Sequence, residues 1–238
     1  MDRESPIEVA HAHEDELHRT AFLHVTELPH GLFPRLGTGF VRRWHRAHLR
    51  SAHGTVLVAR QEGSVVGFLV GTTDRRANVA WIIRQHRSEL VSAGLRALAI
   101  RPLVALSFLR TRGFRYARRL LGPGSTSHRH ADVDERSGPA QPSGSRTVEA
   151  SAPVAVLEAV VVDFPYRGQG IGSALADRFL SEAARSDADR VELVTKADAR
   201  GAAGFYERAG WTLVDNHVDR DGDRVYTFRI DPHVVHVR

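Results

Sequence analysis

The stretch VAVLEAVVVDFPYRGQGIGSALADRFLSEAA (154–184) constrains the fold more than any other part of the chain. Its first part, within residues 152–163, is apolar at nearly every position, as a strand covered on both faces must be. Three glycines follow within five positions, at Gly168, Gly170 and Gly172. Then Ile171, Leu175, Phe179 and Ala183 recur at helical spacing, and VELVT (191–195) reads as the next strand. A strand, a helix and a second strand form a right-handed crossover between parallel neighbours, which places the chain in the α/β class. A reversal of direction needs one glycine or two. Three of them ahead of a helix N-terminus let several backbone N–H groups converge on one point without side chains in the way. The helix dipole adds to that field, so the turn suits a phosphate or a pyrophosphate.

The rest of the sequence supplies the layers around this unit. IEVAHA (7–12) reads as a first strand, 14–28 as a helix, and 32–52 as a second, amphipathic helix. GTVLVARQEGSVVGFLVGTT (54–73) is a hairpin turning at Gln61–Glu62–Gly63. A short helix over about 199–209 ends at Gly210, and 211–218 with 224–230 make a last hairpin. Two segments do not fit this scheme. Residues 75–121 carry eleven arginines against the single acid Glu89, with apolar residues at helical spacing, which predicts two or three basic helices. Residues 122–150 are rich in Gly, Pro, Ser and charge, a composition that predicts a mobile loop. The whole chain, 1–238, is read as one domain with these two inserts.

Composition narrows the function. With no cysteine there is neither a disulfide framework nor a thiolate metal site, which fits a cytoplasmic protein. The start of the chain is polar, and no apolar run is long enough to span a membrane. The net charge of +5 rests almost wholly on arginine, since Lys196 is the only lysine; such a chain favours anionic ligands. The pairs His11/His13 and His128/His130 lack a third ligand at useful spacing, so no metal is expected.

Which phosphate compound the turn holds is open to three readings on residues alone. Gly-Lys-Ser/Thr, the mark of a nucleotide phosphate loop, is absent. The spacing Gly168-x-Gly170-x-Gly172 departs from the dinucleotide fingerprint and comes late in the chain. A purely structural turn is the third reading. Beyond these, VVVDFPYRGQGIGSAL resembles motif A of the GNAT acyltransferases, whose core Arg/Gln-x-x-Gly-x-Gly/Ala is matched by Arg167, Gly170 and Gly172. FYERAGW (205–211) is similar to that family's second signature, and both occur in the family's order. The resemblance is strong over 152–230, weaker over 1–73, and does not extend to the two inserts.

That resemblance implies the GNAT fold: a mixed, mostly antiparallel central sheet flanked by helices, here with an arginine-rich helical insertion before the motif A strand. It implies acetyl-CoA as acyl donor. The backbone N–H groups of Arg167, Gly168, Gln169, Gly170, Ile171, Gly172 and Ser173 would hold its pyrophosphate. The backbone of Val160, Val161 and Val162, where the strand splays from its neighbour, would pair with the pantetheine arm. Tyr206 occupies the position of the family's proton donor to the leaving thiolate. Glu158 is similar in position to a strand glutamate that serves some members as base. By strand alternation it falls on the same face as Val160 and Val162. One departure is Ala199, with Asp198 beside it, where many relatives carry Asn.

Direct transfer to an amine needs a base. At a lysine-like pKa only roughly one amine in 2,500 is neutral at pH 7, a handicap of about 4–5 kcal/mol. The expected function is N-acetylation of a small-molecule primary amine, such as an amino sugar or another anionic amine that arginine forks could grip. Two other readings stay open: a protein or peptide N-acetyltransferase, and a non-catalytic acyl-CoA sensor or basic nucleic-acid or membrane module. On the favoured reading no nucleic-acid partner is expected, and a homodimer is compatible with it.

Overall fold

The computed structural model describes residues 6–29, 32–101, 104, 152–197, 202–219 and 222–234. The expected mobile loop (122–150), the later part of the arginine-rich segment, His128/His130, Asp198 and Ala199 lie outside the described residues. The elements in chain order are β1 (Glu8–His11), α1 (Leu17–Glu27), α2 (Leu32–Arg35), α3 (Thr38–Arg50), β2 (Gly54–Gln61), β3 (Ser64–Thr72), α4 (Arg75–Ala99), β4 (Val154–Val162), α5 (Ile171–Arg185), β5 (Arg190–Lys196), α6 (Ala202–Arg208), β6 (Thr212–Val218) and β7 (Arg224–Ile230).

Seven strands form one sheet in the order β1-β2-β3-β4-β5-β7-β6. Every pairing is antiparallel except β4 with β5, the pair that the α5 crossover joins. The sheet is therefore mixed and mostly antiparallel. The β2–β3 turn has Glu62 at φ 51° and Gly63 at φ 74°, the two left-handed residues that a two-residue hairpin with matching twist requires.

Strand alternation sorts the core into two layers. On one face Leu57, Ala59, Leu69, Ala155 and Leu157 pack beneath Ile171, Leu175 and Phe179 of α5 and Tyr206 of α6. On the other, Val56, Val58, Phe68 and Val70 pack beneath Leu17 and Leu23 of α1, Phe40 and Trp44 of α3, and Ala93 and Ala97 of α4.

The helix expected over 32–52 is split. Gly37 takes φ +92°, and the Arg101 guanidinium, just past the end of α4, donates to the Leu36 carbonyl at 3.0 Å and fills the break. Residues 75–99 form one 25-residue helix, and most of the remainder of the segment expected to hold two or three basic helices lies outside the described residues. Asp74 caps it by accepting from the Ala77 N–H at 3.0 Å.

β3 and β4 lose register at one point. Val70 pairs with Ala159 and Gly71 with Leu157, so Glu158 is an extra residue in β4. Gly71 fits there because space is short: a Cβ at Gly71 would stand 2.6 Å from the Phe179 ring and 3.0 Å from the Val156 carbonyl oxygen. Gly71→Ala should lower stability by about 1–3 kcal/mol, read from urea unfolding. An unchanged midpoint would show that Phe179 moves freely and that the bulge is not tightly packed.

Candidate active site

The bulge reorients β4 at the point where chemistry is expected. A bulge bends its strand and increases local twist. Parallel pairing between β4 and β5 runs from Val154↔Arg190 to Leu157↔Leu193 and ends there. Beyond it β4 stays paired to β3 as far as Val162, while β5 continues to Lys196 against β7. From Glu158 to Val162, β4 thus has a backbone edge with no strand partner among the described residues. Val160, Val161 and Val162 lie on this stretch.

The bulge also corrects the face assigned to Glu158. Val160 and Val162 pack toward the α5 layer, whereas Ala159 and Val161 belong to the α1/α3/α4 layer. Strict alternation would put Glu158 with Val160 and Val162. The extra residue breaks the alternation, and the Glu158 carboxylate meets His48 of α3 on the opposite face, with Oε1 to Nε2 at 3.2 Å. The Glu158 side chain remains 26% exposed.

Past β4, Asp163 is held twice. Its N–H donates to the Val66 carbonyl at 2.9 Å, and its carboxylate accepts from Arg19 at 2.5 Å. A 3₁₀ turn over Phe164–Tyr166 leads into the glycine loop. Gly168 and Gly170 take φ +80° and +78°, left-handed conformations that account for glycine at both. Gly172 is different. It lies inside α5, and an added Cβ would rest 3.6 Å from the Phe205 ring and 3.7 Å from Val162, at ordinary contact distance. The fold itself does not require glycine there.

Among the described residues, no backbone N–H from Gly168 through Ser173 meets an acceptor, and the first bonded amide is that of Ala174, on the Gly170 carbonyl at 2.9 Å. Six consecutive donors without a partner among the described residues lie at and just before a helix N-terminus, a donor set that suits a pyrophosphate. Arg167 adds little of its own. Its amide donates to the Phe164 carbonyl, and its guanidinium donates to Glu27 at 2.5 Å and to the Val162 carbonyl at 3.0 Å. Its side chain ties the loop to the end of α1, and the open amides are those of Gly168–Ser173.

Tyr206 stands in the core beside this loop. Its ring meets Phe205, Trp211 and Phe228 at centroid distances of 5.1, 5.7 and 5.7 Å. FYERAGW is legible as a helix end: Gly210 takes φ +84°, its N–H bonds the Glu207 carbonyl, and the Trp211 N–H returns to the Tyr206 carbonyl at 2.9 Å. The glycine thereby folds the tryptophan back onto the tyrosine. Burial pushes the Tyr206 phenol well above its usual range, so it carries its proton at any working pH.

The face that Glu158 meets is lined by histidines, which sequence reasoning missed. His45 and His48 of α3 and His24 of α1 are buried around Trp44, with ring centroids 5.3, 4.7 and 5.7 Å from the indole. Thr20 Oγ1 lies 2.9 Å from His45 Nδ1, and His45 Nε2 lies 3.1 Å from His24 Nδ1. Burial holds His24 down at about 4 and His45 well below its ordinary value, so both are neutral. His48 is raised, because the Glu158 charge and hydrogen bond outweigh its burial. The α3 periodicity, which places 44, 45 and 48 on one face, was the available signal.

A cavity of about 620 Å³ opens beside α1 and the start of α3, lined by His18, Arg19, Phe22, Thr38 and Arg42 among others. Arg19 links it to Asp163 at the end of β4. The arginines of α4, Arg75, Arg76, Arg84, Arg87 and Arg96, occupy exposed positions instead. Among the described residues, no group of three or more His, Cys, Asp or Glu could hold a metal ion, and no helix is long and apolar enough to cross a membrane.

Comparison with known proteins shows what this arrangement is similar to. A family model described as the acetyltransferase (GNAT) family matches residues 137–211. Comparison with curated proteins gives no match. Among solved structures, yncA, a putative acetyltransferase from Salmonella typhimurium determined with its cofactor acetyl-CoA, superposes with a TM-score of 0.54 at 12% identity, covering 97% of this chain and 96% of that one. A putative acetyltransferase of the GNAT family from Desulfovibrio desulfuricans gives 0.53 at 11% identity, over 95% and 99% of the two chains. Ard1 from Thermoplasma volcanium gives 0.51 at 17%, over 94% and 97%.

Gly172→Ala should separate fold from ligand. Alanine in a helix is favoured over glycine by roughly 0.5–1 kcal/mol, so the melting temperature should hold or rise. The dissociation constant for acetyl-CoA should rise about tenfold or more as the methyl enters the cradle. Unchanged acetyl-CoA affinity would place the pyrophosphate elsewhere.

Proposed function

We propose that the chain, whose residues 137–211 match the acetyltransferase (GNAT) family model, acetylates the primary amine of a small anionic molecule with acetyl-CoA as donor, Glu158 as base and Tyr206 as acid. The observation that carries this reading is the bulge. It sets a partly exposed carboxylate at the first residue of β4 that β5 leaves unpaired, on the same strand that leads into the N–H cradle.

Acetyl-CoA, when bound, supplies an acetyl group activated as a thioester. The N–H groups of Gly168–Ser173 suit its pyrophosphate, and the open edge at Val160–Val162 suits the amides of its arm. Glu158 accepts a proton from the incoming ammonium, which frees the nitrogen lone pair for attack. A carboxylate among apolar strand residues is costly unless paired, and His48 supplies the partner. Tyr206 holds a proton that burial keeps on the phenol, the form required to donate to a departing thiolate.

Support for a small acceptor comes from the cavity beside α1 and α3. Its volume of about 620 Å³ lies within the range of small-molecule sites. Arg42, with Arg19 beside it held by Asp163, gives it a basic wall, suited to a carboxylate or phosphate on the acceptor. An amino sugar phosphate or an amino acid meets both conditions.

Thiol release from acetyl-CoA should appear with an anionic small amine and not with short peptides. Glu158→Gln and Tyr206→Phe should each lower kcat by about 100-fold or more while leaving the melting temperature within a few degrees. Full activity in Tyr206→Phe would leave that ring a packing role only. Turnover on peptides alone would overturn the small-molecule reading.

A further inference from the structure

His48 is buried to 1% exposure and is fixed at both ring nitrogens. Nδ1 lies 3.1 Å from the Trp44 carbonyl oxygen, one helical turn back, and Nε2 lies 3.2 Å from Glu158 Oε1. A carbonyl can only accept, so Nδ1 carries a proton. A neutral imidazole has no second N–H to offer, and an ionised carboxylate has none either. The Nε2–Oε1 contact therefore holds one additional proton, as imidazolium with carboxylate or as imidazole with carboxylic acid. In both forms the pair is neutral overall, which suits a site this buried. Glu158 Oε2 has no hydrogen-bond partner among the described residues.

On the reading of Glu158 as base, we propose that His48 is a positioning residue that shares one proton with it, so that the two side chains take up the amine's proton as a unit. In the working form the pair has lost the shared proton. An N–H bond of the ammonium breaks and an O–H bond forms at Oε2, with the lone pair left on nitrogen. Rotation of the carboxyl group carries the proton to Nε2, where an N–H bond forms as the O–H bond breaks. The partly exposed Glu158 carboxyl returns it to water after turnover.

Among the described residues, nothing else near His48 supplies this proton. His45 on the same helix and His24 on α1 are neutral and bonded to each other. On α4, His86 and Glu89 pair with each other, and Glu89 faces Arg43. β4 contributes Glu158 alone. The pair then has one apparent pKa that belongs to neither residue. It lies above the ordinary histidine value, because Glu158 favours the charged imidazole. The active form is the deprotonated one, so kcat/KM should climb as pH rises through that value.

Two readouts test this in the full chain. First, the His48 ring nitrogens are followed by NMR against pH with no substrate present, assigned by loss of the signal in His48→Gln. The expected midpoint lies above 6.5 and drops by at least one pH unit in Glu158→Gln. A midpoint at or below 6.5, or one that ignores Glu158→Gln, overturns the shared proton. Second, the pH profile of acetyl transfer is compared between wild type and His48→Gln, whose amide can still donate to Glu158 but cannot titrate. The acidic limb should move down toward the carboxylate range, with kcat about tenfold lower at pH 8. A limb that stays in place reduces His48 to packing. If no amine is acetylated while the NMR coupling holds, the shared proton stands and the assignment of Glu158 as base falls.

Discussion

A single extra residue in β4 sets the geometry on which the rest depends. With regular pairing, β4 would run alongside β5 for its full length, and its carbonyls and amides would be consumed by the sheet. The extra residue, Glu158, ends the β4–β5 ladder at Leu157 and leaves the upper strand with one free edge. The same residue turns its own carboxylate to the α3 layer while Val160 and Val162 keep to the α5 layer. An open strand edge and a partly exposed carboxylate beside it thus coincide with one local irregularity. The neighbouring glycine at Gly71 and the Phe179 ring packed over it hold that irregularity in place.

The two layers on either side contribute different chemistry. The α5 layer offers backbone: a helix N-terminus with six open amides, reached through a loop that Arg167 ties to Glu27 and Arg19 ties to Asp163. The α1/α3 layer offers side chains: a buried histidine cluster around Trp44 in which two members are neutral and mutually satisfied and the third faces the carboxylate. Buried polar groups are costly unless partnered, and each histidine here has a defined partner at a defined nitrogen.

Much of this was legible in the sequence. The βαβ unit, the hairpin at Glu62–Gly63, the glycine turn ahead of α5 and the helix end at Gly210 all follow from local patterns whose physical causes act within a few residues. The break at Gly37 was not legible, because it depends on Arg101, more than sixty positions away in the chain. The orientation of Glu158 was misassigned for a related reason. Alternation is a rule for regular strands, and a bulge is specified by the partner strand and the packing across it, not by the strand's own residue pattern. His48 was overlooked because a histidine on an amphipathic helix looks the same whether it faces solvent or a carboxylate 110 residues later.

The most direct measurement is a backbone amide NMR titration of the full chain with acetyl-CoA. Saturable shifts should concentrate at Gly168–Ser173 and along Glu158–Val162, the two places where amides or strand edge stand open. Amides of Gly168–Ser173 that stay unmoved at saturating acetyl-CoA would contradict the account, because the cradle would then hold nothing and the bulge would open onto no ligand.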